Sequence, residues 1–379
     1  MKIILIGKGA VANTILALNP FKIDVTLDWD PLKGSDAICD VNDLEKLSKY
    51  IAKGDLLIDL TSSTNSMQTS TWCYNRGISY INANLDENIE HLTSDVRDLY
   101  MAAKKMTENK KGPTVIYSMG MNPGMVSIFY KIGKKDLIKN GLSFDAIKSI
   151  EVSEIDTQVW KDHVEQGHLI STWCVDNTVS DALATPSVFN PEFYAELMNR
   201  NVEEFKTLTA HAFPYSSVTP WTNKFPTFMS GGHEEVFELG LDSGKPSCFS
   251  YAPPVQFTYG LYGVDEKLAS EGLGYKKDVA TSNILFGSDI VGILFNNGAE
   301  SWWTGANLSI EEARTLVENK DAVNATTVLT AAGVISGVKF ILENPNLGFN
   351  MPIDLPEDKI MDFARPYLGQ FVSKKVNNS

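Results

Sequence analysis

Six acids and two tryptophans share a short stretch near the middle of the chain, SEIDTQVWKDHVEQGHLISTWCVDNTVSD (residues 153–181), and four of the acids flank the second tryptophan. Glu154, Asp156, Asp176 and Asp181 lie on either side of Trp173, with apolar residues between them. A buried carboxylate favours a nearby positive charge, and a carboxylate whose pKa is shifted by burial can act as a base. These residue types are compatible with a cationic substrate.

The first residues carry a dinucleotide-binding pattern, KIILIGKGAVANTILAL. A short apolar strand turns on Gly7 and Gly9 and continues as a helix, with Ala12 in the third small position. Gly7 permits the tight turn, Gly9 lets the backbone approach a pyrophosphate, and Ala12 lets the helix pack on the strand. The helix start at Ala10 and Val11 offers N–H groups and a positive dipole end to phosphates. The strand–turn–helix context strengthens this otherwise short motif.

The next strand, KIDVTLDWD, ends in acids about 20 residues after the glycines. An acid at this position binds ribose hydroxyls and repels a 2′-phosphate, which favours NAD over NADP. We prefer Asp28 for this role, with Asp30 second. The alternative is that both are solvated turn carboxylates.

Alternating strand and helix patterns continue to about residue 130 and predict an α/β, Rossmann-type, doubly wound parallel sheet. Ligands of such sheets bind beyond the carboxyl ends of the strands. Ser62, Ser63 and residues 82–84 are therefore expected near the cofactor.

The pattern changes after this first, NAD-binding domain (1–130). Residues 131–320 predict an inserted α+β domain for substrate binding and dimerisation. Between 180 and 260 the chain is rich in Pro, Phe, Tyr and Gly, which suggests a mixed sheet with long connections. Helical patterns return in 321–379, including NATTVLTAAGVISGVKFILEN, and we expect these C-terminal helices to pack back on the first domain.

The acidic composition of the chain limits the classes of molecule that it is expected to bind. The chain has 379 residues, a net charge of −14 and a pI of about 4.9, so nucleic acid and anionic membrane surfaces are not expected partners. No apolar run reaches the roughly 18 residues of a membrane span. The four cysteines form no CxxC pair, and a strand follows Met1 at once, so we expect a reduced, cytoplasmic protein without a signal peptide.

We predict no metal site. His163, Glu165 and His168 lack the i, i+4 spacing of a helical zinc site. Cys174 has no neighbour that would activate it as a nucleophile and is interpreted as packing.

Several segments, in order, resemble homospermidine synthase of the saccharopine dehydrogenase-like group. GMNPGMVS (120–127) is similar to the family's GANPGMVS, SEIDTQ (153–158) to E-x-DTQ, and STWCVDNTVSD (171–181) to NTWSV-x-GF-x-SEG. GGHEEVFEL (231–239), SDIVGILF (288–295) and WWTGANLSIEEARTL (302–316) also match family segments. Residues 182–225 depart from the family pattern.

The resemblance implies a redox-neutral reaction on putrescine. Bound NAD⁺ oxidises one putrescine to an imine, a second putrescine displaces ammonia, and the same nicotinamide reduces the new imine to homospermidine. It also implies a homodimer.

By motif position the resemblance implies Glu154, Asp181, Asp289 and His233 as the diamine-binding and proton-transfer set, and Trp173 as a lid. It also implies that Asn122, followed by Pro123, lies near the nicotinamide. Plainer interpretations stay open: Trp173 as a core residue, Asp181 as a helix cap, His233 as a structural histidine and Asn122 as part of a turn. Asp156 is interpreted as structural rather than catalytic.

Two rival functions remain. A conventional saccharopine- or carboxyspermidine-type dehydrogenase would bind a substrate carboxylate, so its site should contain arginine or lysine. A non-catalytic NAD-binding paralogue should lose the acids, most of which are kept here.

Overall fold

The computed structural model describes residues 1–62, 64–86, 96–162, 164–183, 188–189, 215–222, 225–261, 264–265, 275–298 and 300–377. Their contacts divide the chain into two compact units. Unit 1 comprises 1–128 and 327–367, and unit 2 comprises 129–326 and 368–379.

Unit 1 is built on a seven-stranded, wholly parallel sheet. Its strands are β1 (Ile3–Ile6), β2 (Val25–Asp28), β3 (Ala37–Ile38), β4 (Leu56–Asp59), β5 (Ser79–Asn82), β6 (Val115–Ile116) and β18 (Phe349–Asn350). The order β18-β6-β5-β4-β1-β2-β3 turns back between β1 and β4, as in a Rossmann sheet. Every residue of β1, β4 and β5 is buried, as expected for central strands covered on both faces. The predicted doubly wound parallel sheet is therefore confirmed.

The helices that begin in the first 130 residues are α1 (Ala10–Leu18), α2 (Leu44–Leu47), α3 (Ser66–Asn75), α4 (Val96–Met106) and α5 (Met125–Lys139). Helix α2 has one turn, whereas DVNDLEKLSKYI predicts a longer helix. The Asp43 carboxylate caps its start, and the Ser48 N–H closes its end on Leu44 and Lys46.

Unit 2 is built on an eight-stranded mixed sheet of order β11-β12-β13-β7-β16-β17-β19, with β10 also paired to β13. Its strands are β7 (Ser149–Asp156), β10 (Val188–Phe189), β11 (Tyr215–Ser217), β12 (Phe225–Met229), β13 (Ser247–Ala252), β16 (Ser288–Asn296), β17 (Glu300–Ser309) and β19 (Gln370–Asn377). Two small sheets join β9 (His168–Ser171) to β14 (Lys276–Val279), and β8 (Val159–Trp160) to β15 (Ile284–Phe286).

Within unit 2 the helices are α6 (Val175–Leu183), α7 (Glu235–Ser243), α8 (Val255–Leu261) and α9 (Ile310–Thr315). Helix α9 begins with a capping box, in which Ser309 and Glu312 satisfy each other's backbone N–H groups. The spacing of Ser309 and Glu312 in NLSIEEARTL predicts this capping-type start, and the residues before it form strand β17.

The C-terminal segment differs from its prediction in one part. Helices α10 (Ala325–Glu343) and α11 (Glu357–Ala364) form as predicted, and residues 327–367 belong to unit 1. The last residues do not follow them: β19 pairs antiparallel with β17 from Phe371 to Asn377, in unit 2. Apolar and polar residues do not alternate regularly in QFVSKKV, so its periodicity does not predict this strand.

Helix α10 is long and apolar enough, by length and composition, to cross a membrane. Most of its apolar window, 83%, is buried within the structure, as in a core helix, so this evidence for a span is weak. No other helix among the described residues passes the same test.

Two glycines let α10 approach the unit 1 sheet closely. A Cβ on Gly333 would overlap the carbonyl oxygen of Gly120, and one on Gly337 would overlap the Ile81 side chain. These glycines lie four residues apart and so share one face of the helix.

We predict that Gly333→Ala lowers the free energy of unfolding by about 1–3 kcal/mol, because the methyl group must displace fixed backbone. Urea denaturation measures this change. Gly9→Ala is the control, since an added Cβ there meets nothing within 4 Å. Equal stability of the two variants would contradict the close packing.

Candidate nucleotide and cation sites

The glycine-rich turn of unit 1 has the geometry of a phosphate cradle. Gly7 has φ +89°, and a Cβ on it would lie 2.6 Å from the carbonyl carbon of Leu60, so only glycine fits. Gly9 is the N-cap residue of α1 and has open space where a Cβ would stand. Ala10 and Val11 begin the helix, whose first N–H groups have no partners within it. The turn can therefore hold a pyrophosphate.

Asp28 ends β2 and braces this turn. Its carboxylate accepts the Lys8 N–H at 2.6 Å and the Asp30 N–H at 2.9 Å, and the residue is buried. Asp30 is used locally, because its side chain accepts the Leu32 N–H and caps a 3₁₀ turn over Pro31–Lys33. Of the two predicted acids, Asp28 is the one fixed beside the glycines.

The loop after β4 is held by a buried carboxylate, Asp59. It accepts the N–H and hydroxyl of Thr61, at 3.1 and 2.7 Å, and the Tyr80 hydroxyl at 2.9 Å. Burial raises the pKa of Asp59. Ser62 follows in an exposed position, and Ser63 lies outside the described residues.

The asparagines after β5 have different environments. Asn82 is buried and accepts the Ser118 N–H at 2.8 Å, so it ties the ends of neighbouring strands together. Asn84 is only partly buried.

Asn122 and Pro123 lie in the turn that precedes α5, joined by a cis peptide bond. The Met125 N–H closes this turn on the Gly120 carbonyl at 3.0 Å. Gly124 has φ +128° and packs against Gly120. Asn122 itself is partly buried.

In unit 2, three carboxylates lie on one face of adjacent strands. Asp289 of β16 is directly opposite Asp156 of β7, and Glu154 is paired with Val291. Opposite residues share a sheet face, as do residues two apart along a strand, so Glu154, Asp156 and Asp289 point the same way. All three are at least 93% buried. We call these three residues the carboxylate cluster.

The Asp156 carboxylate accepts its hydrogen bonds from neutral groups. It accepts the backbone and side-chain N–H groups of Gln158 at 2.9–3.2 Å, the Thr172 hydroxyl at 2.7 Å and the Thr326 hydroxyl at 3.0 Å. Gln158 also donates to Thr326 at 3.0 Å. The network fixes the carboxylate without neutralising its charge.

Asp289 is the member of the carboxylate cluster whose negative charge is least compensated. Its Oδ1 atom is buried and has no hydrogen-bond partner among the described residues. Burial, followed by the charges of Glu154 and Asp156, raises its pKa well above the usual range. Burial also raises the pKa of Asp156, against its hydrogen bonds. The cluster therefore favours binding either a proton or a cation.

Trp173 directly follows Thr172, whose hydroxyl donates to Asp156 of the cluster. The indole lies in the turn between β9 and α6 and is partly exposed. It is not a fully buried core residue, unlike Trp160 and Trp303.

His233 lies over the same sheet face. Its ring stacks on Phe249 with centroids 3.6 Å apart, and Phe249 is paired with Val152, two residues before Glu154. The Nδ1 atom of His233 is 3.0 Å from a carboxylate oxygen of Glu235, and both side chains are buried. This orients the imidazole.

The other acids of residues 153–181 do not join the cluster among the described side chains. Asp176 is exposed, and it pairs with Lys277 at 2.6 Å and Tyr275 at 2.8 Å. Asp181 lies in α6, but its side chain is outside the described residues.

Sequence reasoning missed how closely Asp156 is coupled to Asp289, and it missed Glu235 as the partner of His233. The signal for Asp156 was present in the DTQ segment, whose three side chains all take part in hydrogen bonds. Within the described part of the chain, no three His, Cys, Asp or Glu side chains are arranged to hold a metal ion.

The sequence of this chain is similar to those of several known proteins. Residues 14–116 match the family model of the saccharopine dehydrogenase NADP binding domain. Homospermidine synthase of Mesorhizobium japonicum is 22% identical over 88% of this chain and 78% of its own length. Homospermidine synthase of Blastochloris viridis is 26% identical to this chain. That match covers 73% of this chain and 64% of the Blastochloris protein.

Two solved structures share the fold. Homospermidine synthase from Legionella pneumophila, in complex with NAD, has a TM-score of 0.81 at 21% identity and covers 99% of this chain and 91% of its own. Apo saccharopine dehydrogenase from Saccharomyces cerevisiae has a TM-score of 0.58 at 14% identity, with 99% of each chain covered. The resemblance to homospermidine synthase indicated by the sequence motifs is therefore confirmed, in sequence over most of the chain and in fold over nearly all of it.

Proposed function

We propose that this chain is an NAD-dependent homospermidine synthase that joins two putrescine molecules and releases ammonia. One observation carries the proposal: three buried carboxylates share a sheet face, and the hydrogen bonds to Asp156 come from neutral groups. Such a site favours an organic cation over an anion. The similarity to proteins named homospermidine synthase supports the same substrate class.

Unit 1 fits the cofactor. Gly9 leaves room for a pyrophosphate, and Asp28 is fixed at the end of β2, where ribose hydroxyls bind. The charge of Asp28 favours NAD, although the matching family model is described as NADP-binding. NAD held there would supply the acceptor, and later the donor, of the hydride exchanged with the substrate carbon.

The carboxylate cluster handles charge and protons. A diamine carries two ammonium groups at neutral pH, and one must lose its proton before hydride can leave the adjacent carbon. Glu154 and Asp156 supply the anionic anchor. Asp289, whose pKa is raised by burial and by its neighbours, accepts a proton from an ammonium group and donates one to the departing ammonia.

The remaining residues shape the site. Trp173 attracts the ammonium or iminium group through its ring face, worth about 2 kcal/mol when desolvated, and shields the imine from water. His233, oriented by Glu235, assists proton transfer. By family resemblance Asp181 would add a further anchor, and Asn122 with Pro123 would lie beside the nicotinamide.

A conventional dehydrogenase acting on a carboxylate substrate is the alternative. It would need a positive group to bind that carboxylate. The hydrogen-bond donors on Asp156 are neutral, which favours a diamine. We further propose a homodimer, from the family resemblance, and a cytoplasmic location, from four cysteines that form no CxxC pair.

The direct test is mass spectrometry of the purified protein with putrescine and a catalytic amount of NAD⁺, with absorbance at 340 nm followed in parallel. We expect homospermidine and ammonia in equal amounts without lasting NADH. Accumulating NADH without a triamine would indicate the dehydrogenase instead. Intact NAD binding without product would indicate a non-catalytic protein.

We predict that Asp289→Asn stabilises the ligand-free protein and abolishes its response to putrescine. A carboxyl group whose folded pKa is raised loses stabilising free energy as pH rises through that pKa, and asparagine removes the loss. The Tm of the variant should exceed that of the wild type by a few degrees at pH 8. Putrescine should raise the Tm of the wild type only.

Glu151→Gln is the matched control. Glu151 lies on the same strand as Glu154 but on the opposite sheet face, and burial raises its pKa to about 7. Its removal should also alter the dependence of Tm on pH, yet leave the shift with putrescine intact. If Glu151→Gln and Asp289→Asn respond alike to putrescine, the cluster is not the diamine site.

We predict that Gly9→Ala binds NAD at least tenfold more weakly while its Tm stays that of the wild type. The added methyl group occupies the space needed by the pyrophosphate but touches no protein atom. Isothermal titration calorimetry with NAD measures the affinity. Unchanged affinity would place the pyrophosphate elsewhere.

A further inference from the structure

Trp29 is unusually exposed. All seven tryptophans lie in the described part of the chain, and Trp29 is the only one on the open surface, with 66% of its area exposed. Burying a tryptophan stabilises a fold considerably, so an indole left in water is a candidate for binding a flat ligand.

The backbone on both sides of Trp29 is fixed. Asp28 accepts the Asp30 N–H, and its own carbonyl accepts the Cys39 N–H at 2.9 Å. Asp30 in turn caps the 3₁₀ turn over Pro31–Lys33. Trp29 therefore stands on a connection between the parallel strands β2 and β3 that is held by hydrogen bonds on both sides.

Its place in the sheet identifies the ligand. Trp29 follows the last residue of β2, whose neighbour β1 leads into the glycine turn, and Asp28 is hydrogen-bonded to that turn through the Lys8 N–H. In a dinucleotide the ribose bound by this acid is that of the adenosine half. An adenine is joined to that ribose by one glycosidic bond, so it would lie near the end of β2, which Trp29 follows.

We propose that Trp29 is the stacking platform for the adenine ring of the cofactor, which rests on the proposed NAD dependence. Stacking of a base on an aromatic ring does not require hydrogen bonds to the base. Replacement by alanine should therefore weaken binding about tenfold. The contribution is confined to the adenosine half of the cofactor.

The test uses isothermal titration calorimetry of the full-length protein with ADP-ribose, NAD and nicotinamide mononucleotide. Trp29→Ala should bind ADP-ribose and NAD about tenfold more weakly than the wild type, whereas Trp29→Phe should keep most of the affinity. Binding of nicotinamide mononucleotide should not change. Tryptophan fluorescence should be quenched by ADP-ribose in the wild type and less so in Trp29→Phe.

The outcomes separate the two proposals. If the wild type binds ADP-ribose and Trp29→Ala binds it equally well, the platform is refuted while the proposed function stands. If Trp29→Ala loses the same affinity for ADP-ribose and for nicotinamide mononucleotide, Trp29 acts through the fold. That result would also refute the stacking platform. If the wild type binds neither NAD nor ADP-ribose, the proposed cofactor and the platform both fail.

Discussion

The central constraint in this protein is the burial of three carboxylates on neighbouring strands. Removing one charge from water is costly, and placing like charges on opposite residues of paired strands adds to that cost. The structure compensates Asp156 with hydrogen bonds from neutral groups but leaves an oxygen of Asp289 without a partner among the described residues. A proton or an organic cation must supply the rest, which is why we propose that the cluster is a binding site rather than a source of stability.

The sheet creates this arrangement through its register. Antiparallel pairing of β7 with β16 sets Asp156 against Asp289, and a shift of one residue would turn Asp289 to the opposite face. The hydrogen-bond network then joins segments far apart in sequence, since Thr172 and Thr326 both donate to the same carboxylate. The Rossmann sheet of unit 1 separately supplies the turn and the acid that suit a dinucleotide.

Much of this could be predicted from local patterns. The glycine turn, Asp28 and the parallel sheet follow from short-range spacing, because strand, turn and helix are adjacent in sequence. Glu154 could be placed in a strand for the same reason. The family resemblance added Asp289 and His233, which no local pattern would have connected to it.

Other features depend on contacts that local sequence does not encode. Asp176 looked like a partner of Glu154, but its helix turns it towards Lys277, about 100 residues later. The coupling of Asp156 to Asp289 depends on strand register, and the fixing of Asp156 depends on Thr326, 170 residues away. The C-terminal strand likewise depends on its pairing with β17, which the local sequence does not encode.

The most direct test of the cluster is its proton exchange with a diamine. Titration calorimetry of putrescine into the NAD-free protein, in buffers of different ionisation enthalpy, counts the protons released on binding. We predict the release of about one proton near neutral pH, declining as pH rises through the raised pKa of Asp289, and no such release in Asp289→Asn. Tight putrescine binding without proton release, unchanged by Asp289→Asn, would contradict the account.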